Sequence, residues 1–254
     1  MKPKDKDGLI TAQLILPPHL HSLGYFAHQC VIELGRRAVV IKTDRIDFDP
    51  KWFLWRGIFE YLSCVEYAKY ILKSLPTGSD VKDMHGLPAK YNSASLVFFA
   101  QATLDNMAVW MSKQFSINSK GSNLAFHSKS FIKELNLVDN DIGIIIDKHI
   151  KFINILKNYR TEWIHRITGG ADVYSDRSPN DSACIAFLAV PINPKINHYE
   201  GTGSHKFKMI QECRDLNGGK WLYSIGEFAD MIGNGAKEFT LDILSKTLSL
   251  IPST

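Results

Sequence analysis

The sequence has few cysteines, and none of them are close together. Only four cysteines occur in 254 residues, with no CxxC pair among them: Cys30, Cys64, Cys184 and Cys213. This spacing supports neither a zinc ribbon nor a dense disulfide framework. The cysteines are typical of the reduced thiols of a cytoplasmic protein.

Long apolar runs and a strong net charge are also missing. No stretch approaches the roughly 20 apolar residues of a membrane span, and the charged start MKPKDKDGLI lacks the apolar centre of a signal peptide. The net charge of +4 is far from that of a non-specific nucleic-acid binder, although it leaves room for a local basic patch. We therefore expect a soluble cytoplasmic protein without membrane contact, and no motif predicts a cofactor or a metal.

Apolar patterns typical of helices are the main feature of the sequence. The chain is 45% hydrophobic and long enough to bury a sizeable core. Apolar residues recur every three or four positions in several segments before Gly169. These predicted helices cover residues 22–42, 51–75, 93–115, 128–135 and 141–168. A polar loop containing Gly86 and Pro88 is predicted before the third of them.

The pattern changes beyond Gly170. The stretch ADVYSDRSPND is typical of a polar loop, the apolar run 182–190 predicts a strand, and 220–223 is expected to pair with it in a two-stranded appendage. Ser224 followed by Glu227 is a capping box that starts the last helix. Two glycines inside that helix, at 233 and 235, are expected to weaken and kink it.

Together these segments predict a mainly α fold. We expect a bundle of four to five long helices with a small β or irregular insertion before the last helix. Residues 1–8 are interpreted as a disordered tail and 9–254 as a single domain. Within that domain, the predicted core is 93–168 with 224–250, and the insertion is 169–223.

The most informative segment is the long amphipathic helix predicted from Asp141 to Thr168. Arg160 falls in the middle of its apolar stripe, at the same wheel angle as Ile142. A guanidinium there is unfavourable unless a partner or a wet cleft accommodates it. His149, also on the stripe, is interpreted as a hydrogen-bonded core histidine. The opposite face, expected to be solvated, carries these residues: Asp147, Lys148, Lys151, Asn154, Asn158, Thr161 and Glu162.

The end of this helix resembles a known signature. The string NYRTEWIHR, residues 158–166, is similar to the R-x4-6-H motif that ends the third main helix of HEPN domains, which are all-helical bundles found in RNases, toxins and defence proteins. The stretch 98–115 is similar in texture to the preceding HEPN helix, with Asp105 among small and aromatic residues. The resemblance covers 93–168 and, by position only, the last helix. Thr161 departs from the Asn, Asp or His that many members carry after the arginine.

The resemblance implies a function as well as a fold. In HEPN RNases the helix ends of two protomers form one cleft, which cleaves RNA through 2′-OH attack without a metal and leaves a 2′,3′-cyclic phosphate. By this resemblance His165 is the general acid and base, and Arg160 holds the phosphate. Asp105, Glu162 and Thr161 are weaker candidates for supporting roles. The implied partners are an RNA substrate, a second copy of the chain and, for a toxin or defence effector, an inhibitory protein.

A second interpretation stays open. The chain could be a catalytically inactive HEPN-like module that binds RNA or a protein, with Arg160 and His165 in structural roles. Thr161 and the modest net charge favour this alternative. Basic side chains also gather at helix C-termini because they complement the negative end of the dipole. The dipole explains His165 without any chemistry, but it does not explain an arginine on the apolar face.

Overall fold

Five α-helices and three strands are the main elements of the part of the chain that the structure describes. This computed structural model describes residues 54–163, 170–176, 185–194 and 220–251. A π-helical stretch, Leu54–Phe59, leads into the first α-helix. The helices are α1 Glu60–Ser74, α2 Gly86–Gln114, α3 Lys129–Val138, α4 Asn140–Trp163 and α5 Ile225–Leu250. The mainly α prediction is confirmed, while the helix predicted at 22–42 and the predicted tail at 1–8 lie outside these ranges.

Helix α2 begins earlier than predicted. The predicted loop with Gly86 and Pro88 is wrong from Gly86 onward, because both residues belong to the first turn of the helix. Proline is tolerated there, since the amides of the first turn have no intrahelical acceptor. The predicted apolar stripe is confirmed as buried: Val97, Ala100, Leu104, Met107, Ala108 and Met111.

The insertion contains a three-stranded antiparallel sheet. Its strands are β1 Asp172–Asp176, β2 Ile185–Pro191 and β3 Leu222–Ser224, in the order β1-β2-β3. The predicted strand and its pairing with the third strand are confirmed, but the polar loop predicted over β1 is wrong. Backbone pairing with β2 does not depend on the polar side chains that suggested a loop. Leu188 and Val190 are buried in the same core as the helices, so the sheet packs onto the bundle.

One hydrophobic cluster joins the helices and the sheet. Helix α1 packs against α2 and α5, so the helical core also includes a segment N-terminal to residue 93. The largest fully buried side chains are Trp110, Tyr159, Phe131, Phe228 and Phe239. Among the described helices, none has the combination of length and apolarity that crossing a membrane requires.

Helix α5 starts at the predicted capping box. The Ser224 hydroxyl accepts from the Glu227 amide at 3.2 Å, and the Glu227 carboxylate accepts from the Ser224 amide at 2.9 Å. The helix is continuous through Gly233 and Gly235. A Cβ at Gly233 would lie 2.7 Å from Cδ of Lys69, and one at Gly235 would clash with the Phe152 ring. The two glycines therefore allow α1 and α4 to approach α5 closely.

Asp242 of α5 connects this helix to α4. Its carboxylate accepts hydrogen bonds from Lys148 and His149, each at 2.8 Å. His149 is only 7% exposed, which confirms the prediction of a hydrogen-bonded core histidine. The bond from Lys148, and then that from His149, lowers the pKa of Asp242. The folded state therefore favours the charged carboxylate more than the unfolded chain does.

This pKa shift predicts how stability depends on pH. Because the pKa is lowered on folding, the stabilisation is present above the ordinary value of 3.8 and is lost as the pH falls through the folded-state pKa. We expect Asp242→Asn to lower the free energy of unfolding by about 1 kcal/mol at pH 7, because the carboxylate is partly exposed and screened. Urea unfolding at a series of pH values measures this. Asp147→Asn, an exposed change on α4, is the control, and identical pH profiles for the two variants would contradict the prediction.

Candidate functional site

Arg160 lies in the last turn of α4 and faces Asp105 in the C-terminal third of α2. Its Nη2 is 3.8 Å from Oδ2 of Asp105, and the two side chains are 41% and 39% exposed. The arginine is therefore both paired and partly hydrated. An ion pair this exposed contributes little free energy, so an incoming phosphate can compete with the carboxylate.

Arg160 is accessible although it continues the apolar row of α4. Helix α3 has 10 residues, about 15 Å, and only Asp139 separates it from α4. It packs back along the first part of α4, where Ile142 and Ile146 are fully buried. Arg160 lies about 27 Å along the helix from Ile142, beyond the reach of α3. Ile153 and Leu156, which lie between these positions, are buried as well, so the row is covered along most of α4 and becomes partly exposed at Arg160.

Gln101 holds the carboxylate of this pair. It lies one turn before Asp105 on α2, and its Nε2 donates to Oδ1 of Asp105 at 2.8 Å. Gln101 is 6% exposed, so its amide is fixed by the surrounding core. One carboxylate oxygen is occupied by Gln101, and the other faces Arg160.

His127 is a further titratable group at this position. It immediately follows Phe126, which is 2% exposed and packs against Phe131 and Phe239. The half-buried imidazole interacts electrostatically with three charged groups: Lys157, Asp105 and Arg160. Burial lowers the pKa of His127, Lys157 and Arg160 lower it further, and Asp105 opposes them. The ring is therefore neutral near pH 7 and can accept a proton.

The sequence did not point to His127, because it precedes the signature arginine by 33 positions and belongs to no motif. The packing of α3 on α4 brings it there. One signal was available: a short helix joined tightly to a long one returns the residues before it to the long helix. Applied to 128–135 and 141–168, that geometry would have placed His127 alongside the long helix, without fixing its distance from Arg160.

The other predicted site residues have different surroundings. Thr161 donates its hydroxyl to the carbonyl of Lys157 at 2.9 Å, within its own helix. Glu162 is 5% exposed, so the prediction that it is solvated is wrong. The reason is tertiary: on this part of α4, Tyr159 donates to the carbonyls of Pro191 and Ile192, so chain beyond the helix covers a second side of it. His165 lies outside the described residues.

The group as a whole combines two cations, one carboxylate and one histidine that is neutral near pH 7. Such a set suits a phosphodiester, because the cations can bind the phosphate and the imidazole can exchange a proton. Within the described ranges, no three His, Cys, Asp or Glu side chains are grouped closely enough to hold a metal ion. No protein-family model matches the chain, and no significant match was found among curated proteins or solved structures.

Proposed function

We propose that the protein is a metal-independent endoribonuclease of the HEPN type. The observation that supports this proposal most directly is the position of Arg160, half-exposed beside Asp105 at the C-terminal end of a long helix. A guanidinium presents fixed donors that match phosphate oxygens, and it keeps its charge at any physiological pH. The resemblance of residues 158–166 to the R-x4-6-H signature adds His165 as the proton-transfer group.

The proposed reaction is an internal transesterification. A general base takes the proton of the ribose 2′-OH, the 2′ oxygen attacks phosphorus, and the bond from phosphorus to the 5′ oxygen breaks. The leaving 5′ oxygen takes a proton, so the products are a 2′,3′-cyclic phosphate and a 5′-hydroxyl. Arg160 binds the phosphate and stabilises the negative charge that builds up on it. His165 is the proposed general acid and base.

His127 is the second candidate for a proton transfer in this reaction. His127 lies within electrostatic range of Asp105 and Arg160, and burial lowers its pKa, which favours the neutral ring. A base and an acid are both needed when one proton leaves the 2′-OH and another reaches the 5′ oxygen. With two histidines beside one phosphate, one can act as the base and the other as the acid.

The wider biological setting is part of the proposal. The partly exposed side chain of Arg160 is accessible to a second copy of the chain, as a cleft shared by two protomers requires. A cytoplasmic toxin or defence effector of this kind needs control, so an inhibitory partner protein is also proposed. Mixing two differently inactivated variants and testing for restored activity would detect a shared cleft.

One observation favours the alternative of a catalytically inactive HEPN-like module that binds RNA or a protein. Thr161 follows the arginine where many family members carry Asn, Asp or His, and its hydroxyl bonds to its own helix. It therefore adds no polar group to the site. In such a module Arg160 and His165 would have structural roles.

Incubation of the purified full chain with RNA in the presence of EDTA tests the proposal. We expect cleavage to persist in EDTA and the 5′ fragment to end in a 2′,3′-cyclic phosphate, because the proposed chemistry uses only side chains. The double variant Arg160→Ala with His165→Ala, purified in the same way, controls for contaminating nucleases. Binding of RNA without cleavage would support the inactive module, and loss of cleavage in EDTA would contradict the metal-independent mechanism.

A further inference from the structure

A line of exposed apolar side chains follows one face of α2 toward the candidate site. Leu87, Tyr91 and Phe98 are 75%, 73% and 47% exposed. Residues seven apart in an α-helix differ by only about 20° around the axis. Tyr91, Phe98 and Asp105 are each seven apart, so they form one row that ends at the Arg160 contact.

Two contacts place this row within the molecule. Near one end, Asp105 meets Arg160 of α4. Near the other end, the stem of Lys90 lies so close to Gly170 that a Cβ there would be 2.6 Å from Cγ of Lys90. The row therefore runs along the part of α2 that lies between the end of α4 and the start of the sheet. It is continuous with the candidate site.

The row leads from aromatic side chains to charged ones. Tyr91 and Phe98 present rings at steps of about 10.5 Å, and the next step reaches Asp105, which faces Arg160. Lys157, one turn before Arg160 on α4, acts electrostatically on the same histidine, His127, as Arg160 does. Exposed rings beside cations are the combination that binds single-stranded nucleic acid, in which bases stack on the rings and phosphates contact the cations. A duplex keeps its bases stacked inside, where these rings cannot reach them.

We infer that the site takes unpaired, single-stranded RNA, with bases stacked on Tyr91 and Phe98 and a phosphate between Lys157 and Arg160. This inference rests on the proposed function and specifies its substrate. Charge complementarity and continuity with the arginine favour RNA over a protein partner on this surface. A second copy of the chain, bound through the same row, is the competing occupant that the test must separate.

Fluorescence anisotropy with a labelled unstructured RNA and a labelled RNA duplex tests the inference on the full chain. We expect tighter binding of the single strand, and a loss of roughly 5- to 150-fold in its affinity for Tyr91→Ala and for Phe98→Ala. The conservative variant Tyr91→Phe should retain affinity because the ring is kept. Leu87→Ala is the matched control on the same row, and Leu137→Ala controls for an exposed apolar residue at the far end of α3.

The possible outcomes are distinct. Unchanged RNA affinity in Tyr91→Ala and Phe98→Ala would overturn the inference, even if the wild type cleaves RNA. A change in oligomeric state for Leu87→Ala and Tyr91→Ala, with RNA affinity unchanged, would assign the row to contact between protein copies. Single-strand binding that depends on both rings but lacks cleavage would support the inference while refuting the ribonuclease. Equal affinity for single strand and duplex would overturn it as well.

Discussion

His165→Ala is expected to lower the rate of RNA cleavage by about 10²- to 10⁴-fold, the usual contribution of a positioned general acid or base. Alanine removes the imidazole without adding a charge, and the fold should persist because the core cluster of the described residues is untouched. Cleavage of a labelled RNA in EDTA measures the rate, and circular dichroism with size-exclusion chromatography checks the fold and the oligomeric state. An unchanged rate would remove the assignment of His165.

Further variants test how much each side chain of the site contributes to the reaction. His127→Gln tests the second histidine: the loss of one limb of the pH–rate profile would assign it a proton transfer, and an unchanged profile would leave it out of the reaction. His85→Gln is the control for the loss of a histidine. His85 is far from Arg160 in the sequence, and its ring accepts a hydrogen bond from the Lys82 amide. Arg160→Lys keeps the charge but loses the planar fork, so we expect a loss of about 10²- to 10³-fold.

Phe239→Ala is expected to have the largest effect on stability. Phe239 is fully buried in α5, with its ring 4.9 Å from that of Phe126 and 5.4 Å from that of His149, centroid to centroid. Truncating such a ring typically lowers the free energy of unfolding by about 3–5 kcal/mol, because it leaves a cavity where a large apolar surface was buried. That is a large part of the roughly 5–15 kcal/mol that holds a domain folded. Urea unfolding at pH 7 measures the change.

Phe239→Ala should also affect the candidate site. Phe126 packs on Phe239 and immediately precedes His127, so a cavity at Phe239 should loosen the backbone that positions this histidine. Leu137→Ala, at an exposed position, is the control and should change the free energy of unfolding by less than about 0.5 kcal/mol. Equal stability of the two variants would show that Phe239 does not hold the core together.

Much of the fold could be predicted from residue patterns because helices and their ends are local. The stripe of α2, the capping box at Ser224 and the strand near 182–190 depend on neighbours a few positions away. The wrong predictions concern segments whose structure depends on contacts with distant parts of the chain. Gly86 and Pro88 were interpreted as a loop although they fit a first helical turn, and β1 looked like a polar loop because its pairing with β2 is not visible in its own composition.

The site was predictable only in part, for the same reason. The sequence identified Arg160 from its conflict with an apolar stripe and named Asp105 from its place among small and aromatic residues. It gave no reason for their meeting at 3.8 Å, for the hydrogen bond from Gln101, or for the electrostatic influence of both charges on His127. Glu162 was assigned to solvent because a helical wheel describes a single helix and not the chain that packs on its other sides.

The sequence by itself determined that this chain forms long amphipathic helices, with an arginine in the apolar row of one of them. The tertiary structure decided the surroundings of that arginine: its side chain is partly exposed, α2 supplies its carboxylate, and the turn before α3 brings a histidine within electrostatic range of it. Periodicity and capping are set by residues three or four apart, which a sequence shows directly. Which part of a helix its neighbours cover depends on packing between segments that are far apart in the chain, and only the folded core determines that packing.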